Sequence, residues 1–320
     1  MNVFILINHV MLSSLICLFG IVGNIINMCV FVKQGLARAS NTSFFAMAVS
    51  DTLEIVFQLW HNVCLNPYLV LTDSSIAFNE IMYLTGGYPS LYFTRTTGCI
   101  VAYITAERCL SVTFPLRVKQ AVTTGRTAAI LVFIYVINFE TIVPIYLWAY
   151  LSWKFFPQQN RTRLGISFRD DRLGTALENS YFQSCLAMIS FVLVVVFTSV
   201  LVFTLKKNSR WRRKSTTQAS RMATISSRER TTVIMVIVVA AVLIVCYTPA
   251  ISFVIAAAVD INFSITGGQN RVFQAAWSFA FLLHSVNASI TILLYYKTSS
   301  KYRQTLREFL PRCFSPRRET

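Results

Sequence analysis

Charge is what this sequence has least of. Only 13% of its 320 residues are Asp, Glu, Lys or Arg, 55% are hydrophobic, and the mean hydropathy is +0.56. Soluble domains carry about 25% charged residues, so an ordinary soluble enzyme is excluded. Histidine is almost absent: His9, His61 and His284 show no metal-ligand spacing and no nucleophile–base set accompanies them, which leaves enzymatic chemistry without support. Cysteine is missing from residues 151–179, and lysine from every long apolar stretch. Repeats, low-complexity segments and charged pore rings are also missing, and with them the usual signs of a transporter or channel.

What the sequence does have is seven long apolar runs, Val3–Val32, Thr42–Leu71, Ile81–Ala106, Thr127–Trp153, Asn179–Leu205, Thr231–Val259 and Val272–Tyr296. A bilayer core about 30 Å thick needs about 20 residues of helix, and each run is long enough. The expectation is an all-α membrane protein, a seven-transmembrane helix bundle over residues 1–298. Residues 299–320 are expected to form a short amphipathic cytoplasmic helix and tail, because Tyr302, Leu306, Phe309 and Leu310 recur at helical spacing within Ser299–Leu310. The first run is too long for a cleaved signal peptide and reads as a retained anchor.

The net charge of +16 suggests nucleic acid until the charges are placed. The loops after the first, third and fifth runs, together with the tail, hold 21 of the 29 Lys and Arg, or 22 with Arg108 at the end of the third run. By the positive-inside rule these segments are cytoplasmic and the N-terminus is extracellular, as in a multi-pass plasma-membrane protein. The basic excess then faces membrane lipid, and no nucleic acid is expected. Asn160 and Asn262 are sequons in outside loops and the expected glycosylation sites. Cys313, just past the tail helix, is a candidate for palmitoylation.

Polar groups inside the runs carry the information about function. Asp51 lies near mid-membrane depth, where a lone charge costs about 2.5–3.5 kcal/mol. Asn24, Thr97, Asn287 and Thr291 are its plausible partners, and the set reads either as a water or sodium-ion site or as hydrogen-bonded glue between helices. No other cofactor and no metal site is expected. Ser90, Thr94, Thr97, Val101, Ile104 and Arg108 share one face of the third run, whose polar upper half suggests a pocket. Pro249 should kink the sixth run.

Several short motifs stand in order along these runs: Gly23-Asn24, Ala48-Val49-Ser50-Asp51, Glu107-Arg108-Cys109 with Pro115-Leu116, Cys246-Tyr247-Thr248-Pro249, and Asn287 to Tyr295 before the amphipathic helix. In order and spacing they resemble rhodopsin-like (class A) G-protein-coupled receptors over essentially the whole chain. Within that family, Val32 to Leu36 and Glu107 to Leu110 leading to Pro115-Leu116-Arg117-Val118-Lys119 look most like the divergent molluscan chemosensory receptors, with invertebrate peptide receptors next. The resemblance implies a receptor for a small molecule or peptide, either a chemosensory cue or a neuropeptide, with a heterotrimeric G protein and arrestin as partners. A non-signalling seven-span protein or a transporter is the alternative.

The resemblance also assigns residues. Glu107, Arg108, Glu229, Tyr247, Pro249 and Tyr295 fall at activation-switch positions, and Arg108 is expected to contact Glu229 at rest. The ligand positions are Glu54, Ser90, Leu91, Thr94, Arg95, Tyr247 and His284. The amine-binding Asp of the family is Ser90 here and the retinal lysine is Ser285, so monoamines and retinal lose their anchors. Arg95 reads either as the anchor for a carboxylate or, as desolvation favours, as an ion pair with Glu140. Departures are Thr291-Ile292 for the family's Asn-Pro, Cys109 for its Tyr, Tyr247 for its Trp and Tyr83 for its disulfide cysteine. No disulfide should therefore reach the long outer loop, and a Cys64–Cys185 bridge is the one to look for.

Overall fold

The computed structural model describes residues 3–66, 68, 69, 74–114, 122–157, 160–169, 173–214, 227–264 and 267–314, with side chains outside 173–181, 208–214, 227–229 and 310–314. Seven long helices appear among the described residues: α1 Val3–Gln34, α2 Ala39–Cys64, α3 Tyr88–Thr113, α4 Thr124–Trp148, α5 Leu173–Lys214, α6 Ser227–Val259 and α7 Asn270–Thr298. An eighth, α8, covers Ser300–Phe314. Each matches one apolar run or the amphipathic tail.

Five of them, α1, α4, α5, α6 and α7, are long and apolar enough to cross a membrane by length and composition. The other two, α2 and α3, carry Asp51, Glu54, His61, Arg95 and Glu107, all buried. These polar groups face neighbouring helices, while the outward faces show Phe133, Phe203 and Val245, each more than 60% exposed. Such a surface suits lipid and would be anomalous in water.

Helix contacts run α1 to α2 and α7, α3 to α2 and α5, and α6 to α7. The main core lies towards the inner end, where Phe31, Phe44, Met47, Leu201, Leu243, Tyr295 and Tyr302 interlock. Glycine decides the approach of α1 to α7, since a Cβ on Gly20 would overlap the Ser289 hydroxyl.

Two helix ends depart from α geometry. Ile7–Ser13 in α1 is a π-helix, and α3 is preceded by Phe78–Met82 and a π-turn at Tyr83–Gly87. At Gly86 a Cβ would press at 3.1 Å on both His61 and the Phe57 carbonyl, so glycine lets this turn sit close against α2.

The fourth run continues past its helix into a hairpin. α4 stops at Trp148, and β1 (Ala149–Phe156) pairs antiparallel with β2 (Arg161–Phe168), Trp153 opposite Leu164. Asn160, in the connecting turn, takes φ 50°, a left-handed conformation that asparagine tolerates better than most residues. The hairpin is anchored without cysteine. Ala77 N–H donates to the Leu164 carbonyl at 2.9 Å and Leu164 N–H to the Ser75 carbonyl at 2.8 Å. The Glu80 carboxylate accepts from Ile166 N–H at 3.0 Å and pairs with Lys154 Nζ at 2.7 Å. All seven cysteines with described side chains are free, Cys64 and Cys185 included. Cys313 lies outside the described side chains.

Candidate functional site

Proline sets up the most unusual part of the site. α4 breaks at Thr141–Ile142 because Pro144, in the first turn of the Val143–Trp148 segment, has no N–H to continue the ladder. Ile145 N–H turns instead to the Ile142 carbonyl, at 3.1 Å. The Thr141 carbonyl accepts from Gln183 Nε2, at 2.7 Å. Gln183 is held so that its Oε1 accepts from Arg95 Nη1 at 3.0 Å, while Thr141 Oγ1 accepts from Arg95 Nη2 at 2.9 Å. The guanidinium is buried and its Nε has no partner.

The expected ion pair with Glu140 is therefore not formed. Glu140 is exposed on the outer face of α4, and the two acceptors that reach Arg95 are neutral. The break in α4 turned Thr141 inward, one residue on from the acid that the sequence suggested.

A cavity of about 370 Å³ opens beside Arg95, between the outer halves of α1, α2, α3, α5, α6 and α7. Of the expected ligand positions, Leu91, Thr94, Arg95, Tyr247 and His284 line it. Ser90 and Glu54 do not. Ser90 donates to Gln58 Oε1 at 3.2 Å, and Gln58 donates to Asn62 Oδ1 at 2.9 Å. Asn62 then donates to Ser13 Oγ at 3.0 Å, so Ser90 ends a structural relay across α3, α2 and α1. Glu54 is buried beside Thr94 and Asp51, with Oε2 unpartnered.

Sequence reasoning missed His9, His61, Gln183, Phe273, Trp277 and Phe281, which also line the cavity. The two histidines are edge-on at 5.4 Å between ring centroids, and His9 Nδ1 lies 3.1 Å from Asn62 Oδ1. Isolated histidines in otherwise apolar runs were the available signal. Nothing in the sequence marked Gln183.

At the cavity floor Tyr247 lies tilted against His284, with centroids 4.8 Å apart, and its hydroxyl donates to the Thr94 carbonyl at 3.1 Å. This ties α6 to α3. α6 continues as helix through Pro249.

Below the floor the expected five-residue cation site divides in two. Thr97 Oγ1 donates to Asp51 Oδ1 at 2.8 Å, and Asp51 Oδ2 has no protein partner. Asn24 and Thr291 are engaged elsewhere: Asn24 Nδ2 donates to the Ala288 carbonyl at 2.7 Å, and its Oδ1 accepts from Thr291 and Asn27 at 3.1 and 3.2 Å. Asn27 Oδ1 accepts the Tyr302 hydroxyl at 2.5 Å. Asn24, Asn27, Thr291 and Tyr302 thus bond to one another in a network with α8, and of the four expected partners of Asp51 Thr97 is the one whose side chain is bonded to it among the described residues. Asn287 is buried on α7.

At the inner end Arg108 Nη2 contacts Glu107 Oε1. The expected partner Glu229 lies outside the described side chains. Cys109 Sγ reaches the Phe197 carbonyl of α5 at 3.0 Å. Tyr295 is fully buried, packed on Phe31, Phe44 and Tyr302 at 5.3–5.7 Å.

The architecture is thus a membrane helix bundle with a cavity in its outer half and an arginine at the inner end of its central helix. The sequence matches the family described as 7 transmembrane receptor (rhodopsin family) over residues 23–295. The chain belongs to that family. Comparison with individual curated proteins gave no match.

Proposed function

We propose that this chain is a plasma-membrane receptor, N-terminus outside, that carries occupancy of the outer cavity by a small extracellular molecule to a heterotrimeric G protein, with arrestin as a second partner. One observation carries the reading. A single helix, α3, holds Thr94 and Arg95 at the cavity and Arg108 at its inner end, and α6 is bonded to it through Tyr247. A ligand that displaces the Tyr247 contact favours an α6 position pivoted at Pro249, with its inner end swung outward from Arg108. Glu229, twenty residues before Pro249, holds the resting state by pairing with Arg108. The cavity's size and the motif pattern favour a chemosensory cue over a peptide. Glycans on Asn160 and Asn262, a lipid on Cys313 and basic inner loops against anionic lipid complete the picture.

The test is a panel of G-protein sensors in cells expressing the chain, challenged with water-borne odorants, amino acids and peptides. A response that Arg108→Ala removes while ligand binding persists supports the reading. Glu229→Ala should raise basal signalling about two- to thirty-fold, from a coupling of about 0.5–2 kcal/mol. Ligand binding with no sensor response at normal surface expression would make this a non-signalling member of the family.

A further inference from the structure

Arg95 is a buried cation whose two acceptors are neutral. Guanidinium has five N–H donors. Gln183 and Thr141 each take one, and Nε has none to give to, although the group is only 8% exposed. Holding such a charge at membrane depth without a counter-charge is costly. No carboxylate pairs with it among the described residues, and Glu140 points away. The same side chain lines the cavity, and among the described lining residues it is the one permanently charged group. The rest of the wall is largely apolar and aromatic, with Leu91, Ile251, Phe273, Trp277 and Phe281 facing the space.

Resting on the receptor reading, we infer that the cavity takes a monocarboxylate with an apolar or aromatic body, its carboxylate on the Arg95 guanidinium. A carboxylate matches the planar fork of donors and supplies the missing charge. A phosphate monoester, with close to two negative charges, would need a second cation that the described wall lacks. A zwitterionic amino acid would bury its ammonium without an acid to receive it, because no Asp or Glu lines the cavity among the described residues. About 370 Å³ is at the small end of the range for small-molecule sites, about 300–1,000 Å³. Gln183 and Thr141 act as positioning residues that hold the guanidinium in place.

The experiment measures binding to the purified receptor in detergent, without G protein, by thermal-shift titration. The probes are decanoate, 3-phenylpropionate and indole-3-acetate, each beside its primary amide, with phenylalanine and tryptophan as zwitterions. At least one acid should bind tenfold or more tighter than its amide, consistent with a charge-assisted hydrogen bond, and the amino acids should not bind. Arg95→Gln should abolish the preference for acid over amide. If that variant does not fold, the acid-to-amide ratio of the unaltered receptor decides the matter. Equal binding of acid and amide, absence of binding by all three acids, or binding of the amino acids as tight as the acids would overturn the proposal. Acid binding without any G-protein response leaves this inference standing and removes the signalling one. A G-protein response to a neutral or cationic molecule, with no acid bound, does the reverse.

Discussion

The polar cluster between α1, α7 and α8 and the one between α3, α4 and α5 are both buried and both built from side-chain amides and hydroxyls, yet they end differently. In the first, Asn24, Asn27, Thr291 and Tyr302 close on one another, and no charge is involved. In the second, a guanidinium is added, and two neutral acceptors cannot satisfy it. A closed neutral network fixes how helices sit. A charged group left short of partners beside a cavity is a place where something else can bind, because the ligand supplies what the fold withholds.

The comparison can be broken at the closed end first. Asn24→Ala removes the side-chain donor to the Ala288 carbonyl and the acceptor shared by Asn27 and Thr291, and should lower stability by about 2–3 kcal/mol. Thermal unfolding of the purified receptor reads this directly; an unchanged Tm would mean that the network holds nothing together.

Tyr302→Phe removes one hydroxyl and leaves the ring packing, for about 1 kcal/mol. Burial pushes the Tyr302 hydroxyl above its ordinary value. Its contribution is therefore whole below the unfolded tyrosine value of about 10 and lost as pH rises beyond it towards the raised one. The stability difference between the two proteins should be flat from about pH 6 to pH 9. A slope in that window would assign the contact another chemistry.

On the outer hairpin, Glu80→Gln keeps an acceptor for Ile166 N–H but discards the pair with Lys154. Both side chains are partly exposed, at 27% and 35%, so the cost should be about 0.2–1 kcal/mol and should shrink in high salt. A cost of several kcal/mol would show that this pair replaces the missing disulfide outright.

The smallest effect is expected at Asp51, which resembles Arg95 in having an unpartnered atom. Asp51→Asn keeps the acceptor for Thr97 and removes a buried acid, so stability should stay within about 0.5 kcal/mol or rise. A large loss would show that the second oxygen has a partner which the helices do not supply.

The helices were legible because a bilayer leaves so few choices. Apolar runs of the required length, and a tail with Tyr302, Leu306 and Phe309 at helical spacing, need no tertiary information to be read. Part of the site was legible too: Thr94, Arg95, Tyr247 and His284 do line one cavity. Pairing was not. Glu140 is the nearby acid, but α4 breaks at Thr141–Ile142 in such a way that Thr141, and not Glu140, faces Arg95. Ser90 and Asn24 went elsewhere for another reason: a hydroxyl or amide takes whichever acceptor its neighbours bring within about 3 Å.

The sequence by itself determined that this chain crosses a membrane as a helix bundle and which helices carry the charged groups. These follow from transfer free energies, summed residue by residue along the chain. Only the tertiary structure decided that Arg95 meets amide and hydroxyl instead of carboxylate, that Asn27 rather than Asp51 collects Asn24 and Thr291, and that the outer loop folds as a hairpin pinned by Glu80. Those outcomes depend on rotation, depth and the breaking point of neighbouring helices, which are properties of packing between segments far apart in sequence.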